Sequence, residues 1–305
     1  MQSIRDFESL FGYLSDESRP RVRVAVVCPH DDHTLEAVEG ALAEGFADFV
    51  LVGKSDVINN LSLLSDHADR VELVEVDDPD EAARVAVGLV REGRADVLMK
   101  GLINTDNLLR AVLNKEAGLL PKGNVLTHAT AAQIPGRDKL LFFSDAAVIP
   151  FPTLDQRVAI VADMARLCRT FGIETPRIAL IHCSEKISPK FPVTTDYVEL
   201  RQRAADGAFG EAIVDGPMDV KTAVDAHSGE VKGIVSPING QADALIFPDI
   251  EAGNVFYKTI TCFAGSLNAG MLMGTSAPVV LPSRSDSTRS KLSSLAMACL
   301  AASSK

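Results

Sequence analysis

Short apolar runs alternate with longer amphipathic stretches through most of the chain. Arg23–Val27, Phe49–Val52, Val71–Val76 and Ala95–Met99 are apolar runs of four to six residues. Helical spacing fills the intervals, over Thr34–Ala43, Ser55–Leu63, Pro79–Arg91 and Asn104–Lys115. Nearly continuous apolar runs between helical segments predict buried, mainly parallel strands joined by crossover helices. The middle differs. Asn124–Ala132 and Lys139–Phe143 read as two strands joined by a turn around Pro135-Gly136, a hairpin-like pair. Alternation then returns with helix Thr153–Thr170, strand Arg177–His182, helix Asp196–Asp206 and strand Ala212–Val214. A helix near Pro217–Ala226, strand Ala244–Phe247, helix Ala252–Ala264, strand Ala277–Leu281 and an apolar helix over Lys291–Leu300 complete the order.

The pattern predicts the α/β class and two α/β domains with a cleft between them. The second domain, 127–276, is inserted into the first, 1–126 plus 277–305, to which the last strand and helix return. Ligands of open α/β sheets bind beyond the carboxyl ends of the strands, so the strand-to-helix turns are the places to look for chemistry.

Composition narrows the class. A chain of 305 residues, 47% hydrophobic, can fill one large or two medium cores. The formal net charge of −11, with no basic cluster, argues against a nucleic-acid partner. Five cysteines without C-x-x-C spacing read as reduced thiols of a cytoplasmic protein. The N-terminal stretch mixes charges with apolar residues at helical spacing, unlike a signal peptide, and no apolar run reaches the length of a membrane span.

Phosphate-binding glycine loops of the G-x-G-x-x-G and Walker types are absent, and so is a G-x-S-x-G elbow. Cys28-Pro29-His30-Asp31-Asp32-His33 resembles a metal-ligand run. Its members follow one another in a single tight turn, however, with Asp32 placed as an N-cap, and no metal is expected. Lys100-Gly101 followed by Asn104-Thr105 ends an apolar strand and starts a helix. It can hold an anion, or simply end the strand and cap the helix. Ser144-Asp145 ends another strand, either capping the next turn or facing a ligand. Asn254 and Lys258 share one helical face after Asp249 and Glu251. Ser283-Arg284 directly precedes a helix start at Ser285, Asp286 and Ser287. A guanidinium beside unpaired N-terminal amides suits a phosphate; Ser285 or Asp286 as a plain N-cap is the simpler alternative.

Five segments in register carry a resemblance. Lys100-Gly-x-x-x-Thr105, Phe143-Ser-Asp-Ala-Ala, Val214-Asp-Gly-Pro, Phe247-Pro-Asp-Ile-Glu-Ala-Gly-Asn-Val-x-Tyr-Lys258 and Ser283-Arg284-x-Asp-Ser287 occur in that order. They resemble the phosphate acetyltransferase/phosphate butyryltransferase family, and more closely its butyryl branch. The resemblance spans roughly residues 20–300. It implies the fold of the isocitrate and isopropylmalate dehydrogenases, a homodimer, and reversible acyl transfer between coenzyme A and phosphate. Coenzyme A enters as a substrate, with no bound cofactor. The implied catalytic residues are Ser283, near the reacting carbonyl, Arg284, on the phosphate, and Asp286. The substrate-binding set is Lys100, Gly101, Thr105, His128, Ser144, Asp145, Asn254 and Lys258.

One position departs from the pattern. The acetyl branch has an aspartate seven residues after its serine, proposed as the base for the thiol; here that position is Ser290. Asp286 is the nearest carboxylate, and at a helix N-terminus it is a weak base. Either it serves, or thiolate forms in the positive field of Arg284 and Lys100. Met271, Leu272 and Met273 read as core or as an acyl pocket. Two other functions fit less well. A decarboxylating dehydrogenase of the same fold needs convergent carboxylates and a cofactor loop, and a degenerate acyl-CoA-binding regulator would bind without turnover.

Overall fold

Val22–Val27 (β1) is apolar except for Arg23, and every other residue in it is buried. It lies between Ala47–Gly53 (β2) and Val97–Lys100 (β4), parallel to both, as such a two-faced strand requires. The computed structural model describes residues 3–54, 67–283 and 286–304. The helix expected over Ser55–Leu63 lies outside them, as do Arg284 and Ser285.

Two compact units are formed, Phe7–Leu126 with Asn268–Lys305 and Met1–Asp6 with Thr127–Leu267. In the first, Val71–Glu75 (β3), β2, β1, β4, Val279–Val280 (β11) and Leu267–Met273 (β10) follow in that order. All pairs are parallel except β10 with β11. Helices Phe7–Leu14 (α1), Asp32–Glu44 (α2), Pro79–Arg91 (α3), Thr105–Val112 (α4) and Thr288–Ser303 (α10) accompany this sheet. The local signals explain their ends. Asp78 caps α3 by accepting from Glu81 N, with Pro79 in the first turn, where a missing N–H costs nothing. Gly45 closes α2 at φ 83°, a left-handed cap.

The second unit orders Thr127–Gln133 (β5), Leu141–Ser144 (β6), Ala244–Ile246 (β9), Arg177–Ile181 (β7) and Ile213–Met218 (β8). The β5–β6 pair is antiparallel, with Gly136 at φ 84° in the turn, as the hairpin-like pattern predicts. Residues 3–6 belong here: Ile4 N donates to Phe171 O, and Arg5 O accepts from Leu140 N. Leu154–Thr170 (α5), Pro192–Ala205 (α6) and Ile250–Ala264 (α9) are its long helices. Phe143 meets Phe247 and Phe256 edge-on, at 6.1 and 5.3 Å between centroids, which seats the first half of α9 on the sheet.

Two departures have physical causes. A helix is expected near Pro217–Ala226, yet β8 continues through Gly216-Pro217, and two short helices follow, Val220–Val224 (α7) and Ala226–Lys232 (α8). Gly216 sits at φ 146°, where a Cβ would come within 2.5 Å of Leu180 O. As the outermost strand of this unit's order, β8 tolerates a proline. The other departure is β10, which sequence reading passes over because Asn268, Ala269 and Gly270 weaken its apolar signal. Its Met271, Leu272 and Met273 are buried in the strand, and Leu272 pairs with Val279, so they belong to the core. No helix among the described residues is long and apolar enough to cross a membrane.

Candidate active site

The turns after β1 and β4 and the segment after β11 meet in the first unit around a pocket of about 130 Å³. Its lining residues are Asp31, His33, Lys100, Gly101, Leu102, Pro282, Ser283 and Lys291. Three residues singled out in the sequence, Lys100, Gly101 and Ser283, are therefore brought together. Lys100 ends β4 opposite Val27 and is 4% exposed, its ammonium 3.3 Å from Gly101 O. Gly101 is needed for a close approach, to the protein's own backbone: a Cβ there would stand 2.3 Å from Cys28 O. Gly101 N donates to Val27 O at 2.8 Å and Leu102 N to Cys28 O at 2.7 Å, which pins this turn to the end of β1.

Ser283 is exposed at the rim. Asp286 braces it by accepting from Ser283 N at 2.8 Å, while Asp286 N donates to Ser283 O. The helix cap expected at Ser285 or Asp286 falls instead on Ser287, whose hydroxyl accepts from Ser290 N at 3.2 Å. Ser290, standing where the acetyl branch has aspartate, is thus absorbed into the start of α10. Thr105, the first residue of α4, is exposed and does not line the pocket. The cap position before it is Asn104, which makes no side-chain cap bond. Arg284 lies outside the described residues.

Sequence reading missed the ion pair of this pocket, which joins a buried lysine to a half-buried aspartate. Lys291, in the first turn of α10, is 3% exposed. Its ammonium donates to Asp31 Oδ1 at 2.8 Å and Thr34 Oγ1 at 3.2 Å. Asp31 caps α2, accepting from Thr34 N at 3.0 Å and Thr34 Oγ1 at 2.7 Å. Burial pushes its carboxyl up, but hydrogen bonds from Lys291 and Thr34 outweigh this and hold it below the usual carboxylate range. It is a poor base. The available signal was a lysine heading a run that is otherwise apolar or small through Leu300, since a lysine on a buried face needs a partner. The other members of the run 28–33 diverge. His30 Nε2 accepts from Lys54 N, and His33 Nδ1 lies 3.2 Å from Thr288 Oγ1. Burial, then the charge of Asp78, pushes the Cys28 thiol up to about 11, so it is not a nucleophile at neutral pH.

The remaining candidates lie in the second unit and split into two kinds. Asp145 is 1% exposed and organises backbone: Oδ1 accepts from Ala147 N and Val148 N, both at 2.8 Å, and Oδ2 from His128 N at 3.1 Å. Asn254 Nδ2 donates to Ala146 O at 3.1 Å, linking α9 to the same loop. At Gly253 a Cβ would meet Asp145 O at 2.1 Å, so α9 approaches this loop as only a glycine allows. The His128 ring lies 3.5 Å from Thr130 Oγ1. The Ser144 hydroxyl is enclosed without a hydrogen-bond partner among the described residues. Lys258 is exposed on α9, its ammonium 4.5 Å from the Tyr257 ring centroid, and is not drawn into this cluster.

Known proteins resemble this chain over most of its length. Residues 73–299 match the family described as phosphate acetyl/butaryl transferase. The phosphate butyryltransferase of Clostridium acetobutylicum is 40% identical over 290 residues, 95% of this chain and 96% of that protein. The phosphate acetyltransferase of Thermotoga maritima is 34% identical over 279 residues, 91% of this chain and 94% of that one. A branched-chain phosphotransacylase from Enterococcus faecalis V583, known from its crystal structure, superposes with a TM-score of 0.82 at 32% identity. It covers 92% of this chain and 99% of its own. Over nearly its whole length, then, this chain belongs to the phosphate acetyl/butyryl transferase family.

Proposed function

We propose that this protein reversibly transfers a short-chain, butyryl-like or acetyl group between coenzyme A and inorganic phosphate. The reading is carried by one observation: in a chain of this family, Ser283 of the Ser-Arg motif stands on the rim of a pocket that also holds the buried Lys100. At about 130 Å³ the pocket is smaller than the roughly 300–1,000 Å³ that houses a drug-sized ligand. It suits a tetrahedral oxyanion, not a whole nucleotide carrier.

In the direction of thioester synthesis, the coenzyme A thiolate attacks the carbonyl carbon of the acyl phosphate. The C–S bond forms, the C–O bond breaks, and phosphate leaves with the electron pair. The reverse reaction needs phosphate oxygen as the nucleophile and coenzyme A as the leaving thiolate. Both substrates act together, so no acyl-enzyme is formed. Ser283 donates to the carbonyl oxygen as it becomes an oxyanion, and Arg284 and Lys100 hold the phosphate. A free thiol has a pKa of roughly 8.5. The Asp286 carboxylate braces the Ser283 turn, so the positive field of Arg284 and Lys100 favours the thiolate instead of a carboxylate base. The two units are read as the two domains of the isocitrate/isopropylmalate dehydrogenase arrangement, and the assembly as a homodimer. Val255 and Phe263 of α9, 65% and 88% exposed and eight residues apart on one helix, support the latter.

Product identity tests the reading. Phosphorus NMR of the purified protein with butyryl-CoA and phosphate should show an acyl phosphate signal growing with free thiol. Thiol release with no acyl phosphate would mean simple hydrolysis and reject the proposed transfer.

A further inference from the structure

The mechanism above leaves one proton without an acceptor. The coenzyme A thiol must lose it before sulfur attacks, and a positive field eases that loss without taking the proton itself. The acidic groups already placed at this pocket are occupied. Asp286 accepts from Ser283 N, Asp31 is held as an anion by Lys291 and Thr34, and Cys28 stays a thiol. We propose that His33 is the catalytic base that takes the coenzyme A proton on Nε2, and that Thr288 and Glu36 are the positioning residues that fix its ring; this rests on the acyltransferase reading above. His33 lines the pocket together with Ser283, and its side chain is 57% exposed, so a thiol on a long carrier can reach it.

Hydrogen bonding sets the tautomer. Thr288 Oγ1 donates its single proton to Glu36 Oε2, so towards His33 Nδ1, 3.2 Å away, it can only accept. Nδ1 therefore carries the hydrogen and Nε2 keeps the lone pair, with no protein partner among the described residues. Glu36 Oε2 also lies 3.5 Å from Nδ1. The bond from Thr288, and then that from His33, holds the Glu36 carboxyl below its usual range, so an anion stands beside the imidazolium as it forms. Of the other charges nearby, Lys291 is paired with Asp31, Lys100 shares the pocket, and the Arg289 guanidinium is turned to Glu8. The relay is built on two capped helix starts. His33 and Glu36 are three residues apart at the start of α2, which Asp31 caps, and Thr288 opens α10 behind the Ser287 cap. In thioester synthesis, Nε2 takes the S–H proton, the C–S bond forms, the C–O bond breaks and phosphate leaves with the electron pair. In reverse, the imidazolium returns the proton to the departing thiolate. Histidine suits both directions because its charge changes near neutral pH.

The test follows butyryl-CoA formation from butyryl phosphate and coenzyme A in wild type, His33→Gln and Thr288→Val, with thermal melting to confirm folding. Near about pH 7, His33→Gln should lower kcat roughly a hundredfold with little change in KM for butyryl phosphate. The defect should shrink towards about pH 9, because a thiol of pKa roughly 8.5 then ionises unaided. A merely structural role would give no such recovery. Thr288→Val should lose roughly three- to tenfold, the size of one hydrogen bond. Nitrogen NMR of histidine-labelled protein, with the His33 signals identified by their loss in His33→Gln, should show Nδ1 protonated in the neutral ring and that preference relaxed in Thr288→Val. A proton on Nε2 instead, or a folded His33→Gln with the wild-type rate across the pH range, would overturn the proposal while leaving acyl transfer intact. Wild type that forms no butyryl-CoA would reject the acyltransferase reading, and the role of His33 with it.

Discussion

At the scale of single residues, two glycines and one carboxylate show what the motifs are for. Gly101 and Gly253 lie inside the matching segments, and both are required by close backbone approaches within their own unit. Gly101→Ala must push the β4–α4 turn off the end of β1, breaking the bonds to Val27 O and Cys28 O. It should cost about 1–3 kcal/mol in urea unfolding, as overpacking does, and weaken phosphate binding because Lys100 immediately precedes it. The sequence allows Asp145 to be a substrate contact or a cap, and in the structure its carboxylate accepts from three backbone amides. Asp145→Ala leaves those amides buried and unpaired, at about 1–3 kcal/mol each before relaxation. Its loss should therefore appear first as lowered stability, measured by chemical unfolding, and only secondarily in KM. Full stability with a raised KM would mark Asp145 as a ligand contact instead.

Among the elements, α2 and α10 are tied by the Asp31–Lys291 pair and again by Thr288, which donates to Glu36 and lies beside His33. The pair has a signature in pH. The folded carboxyl of Asp31 titrates below its ordinary value of 3.8, so on acidification the unfolded chain takes up this proton first. The stabilisation is complete above the unfolded value and is lost as pH falls through the folded one. The stability gap between wild type and Asp31→Asn should accordingly be largest near about pH 6 and shrink towards about pH 3. A gap that stayed constant over that range would contradict the assigned pairing. The same elements show what the sequence could tell. Helix α3 was legible because Asp78 and Pro79 mark its start and its apolar positions keep one period; β1, β2 and β4 were legible because strands buried on both faces need unbroken apolar runs. Strand β8 was legible over Ala212–Val214, but its end was not, because the Gly216-Pro217 step signals a turn everywhere except on an outer strand with a close neighbour. That Lys100, Gly101 and Ser283 could meet in one pocket was legible from their places at and after strand ends. The Asp31–Lys291 pair was not, since it joins residues 260 positions apart and no local spacing encodes it.

For the whole molecule, the charge balance and the site pull in opposite directions. A chain of net charge −11 repels anionic substrates at long range, so cations must be concentrated where phosphate binds. The rate of association with coenzyme A should rise with moderate salt as that repulsion is screened, measurable by stopped-flow mixing. Assembly is tested at the exposed face of α9. If it is the dimer contact, Phe263→Glu should convert a dimer to a monomer in sedimentation equilibrium with little change in melting temperature, because Phe263 is 88% exposed in the single chain. An unchanged dimer would assign the contact to another surface. The most direct test of the account follows thiol release from acetyl-, propionyl-, butyryl- and branched-chain acyl-CoA as phosphate is titrated, with Arg284→Ala as the control. Release should saturate with phosphate, favour a short aliphatic chain and fall by roughly a hundredfold or more in the variant. Coenzyme A binding without phosphate-dependent release from any of these thioesters would contradict it, and would leave a binding protein built on an acyltransferase fold.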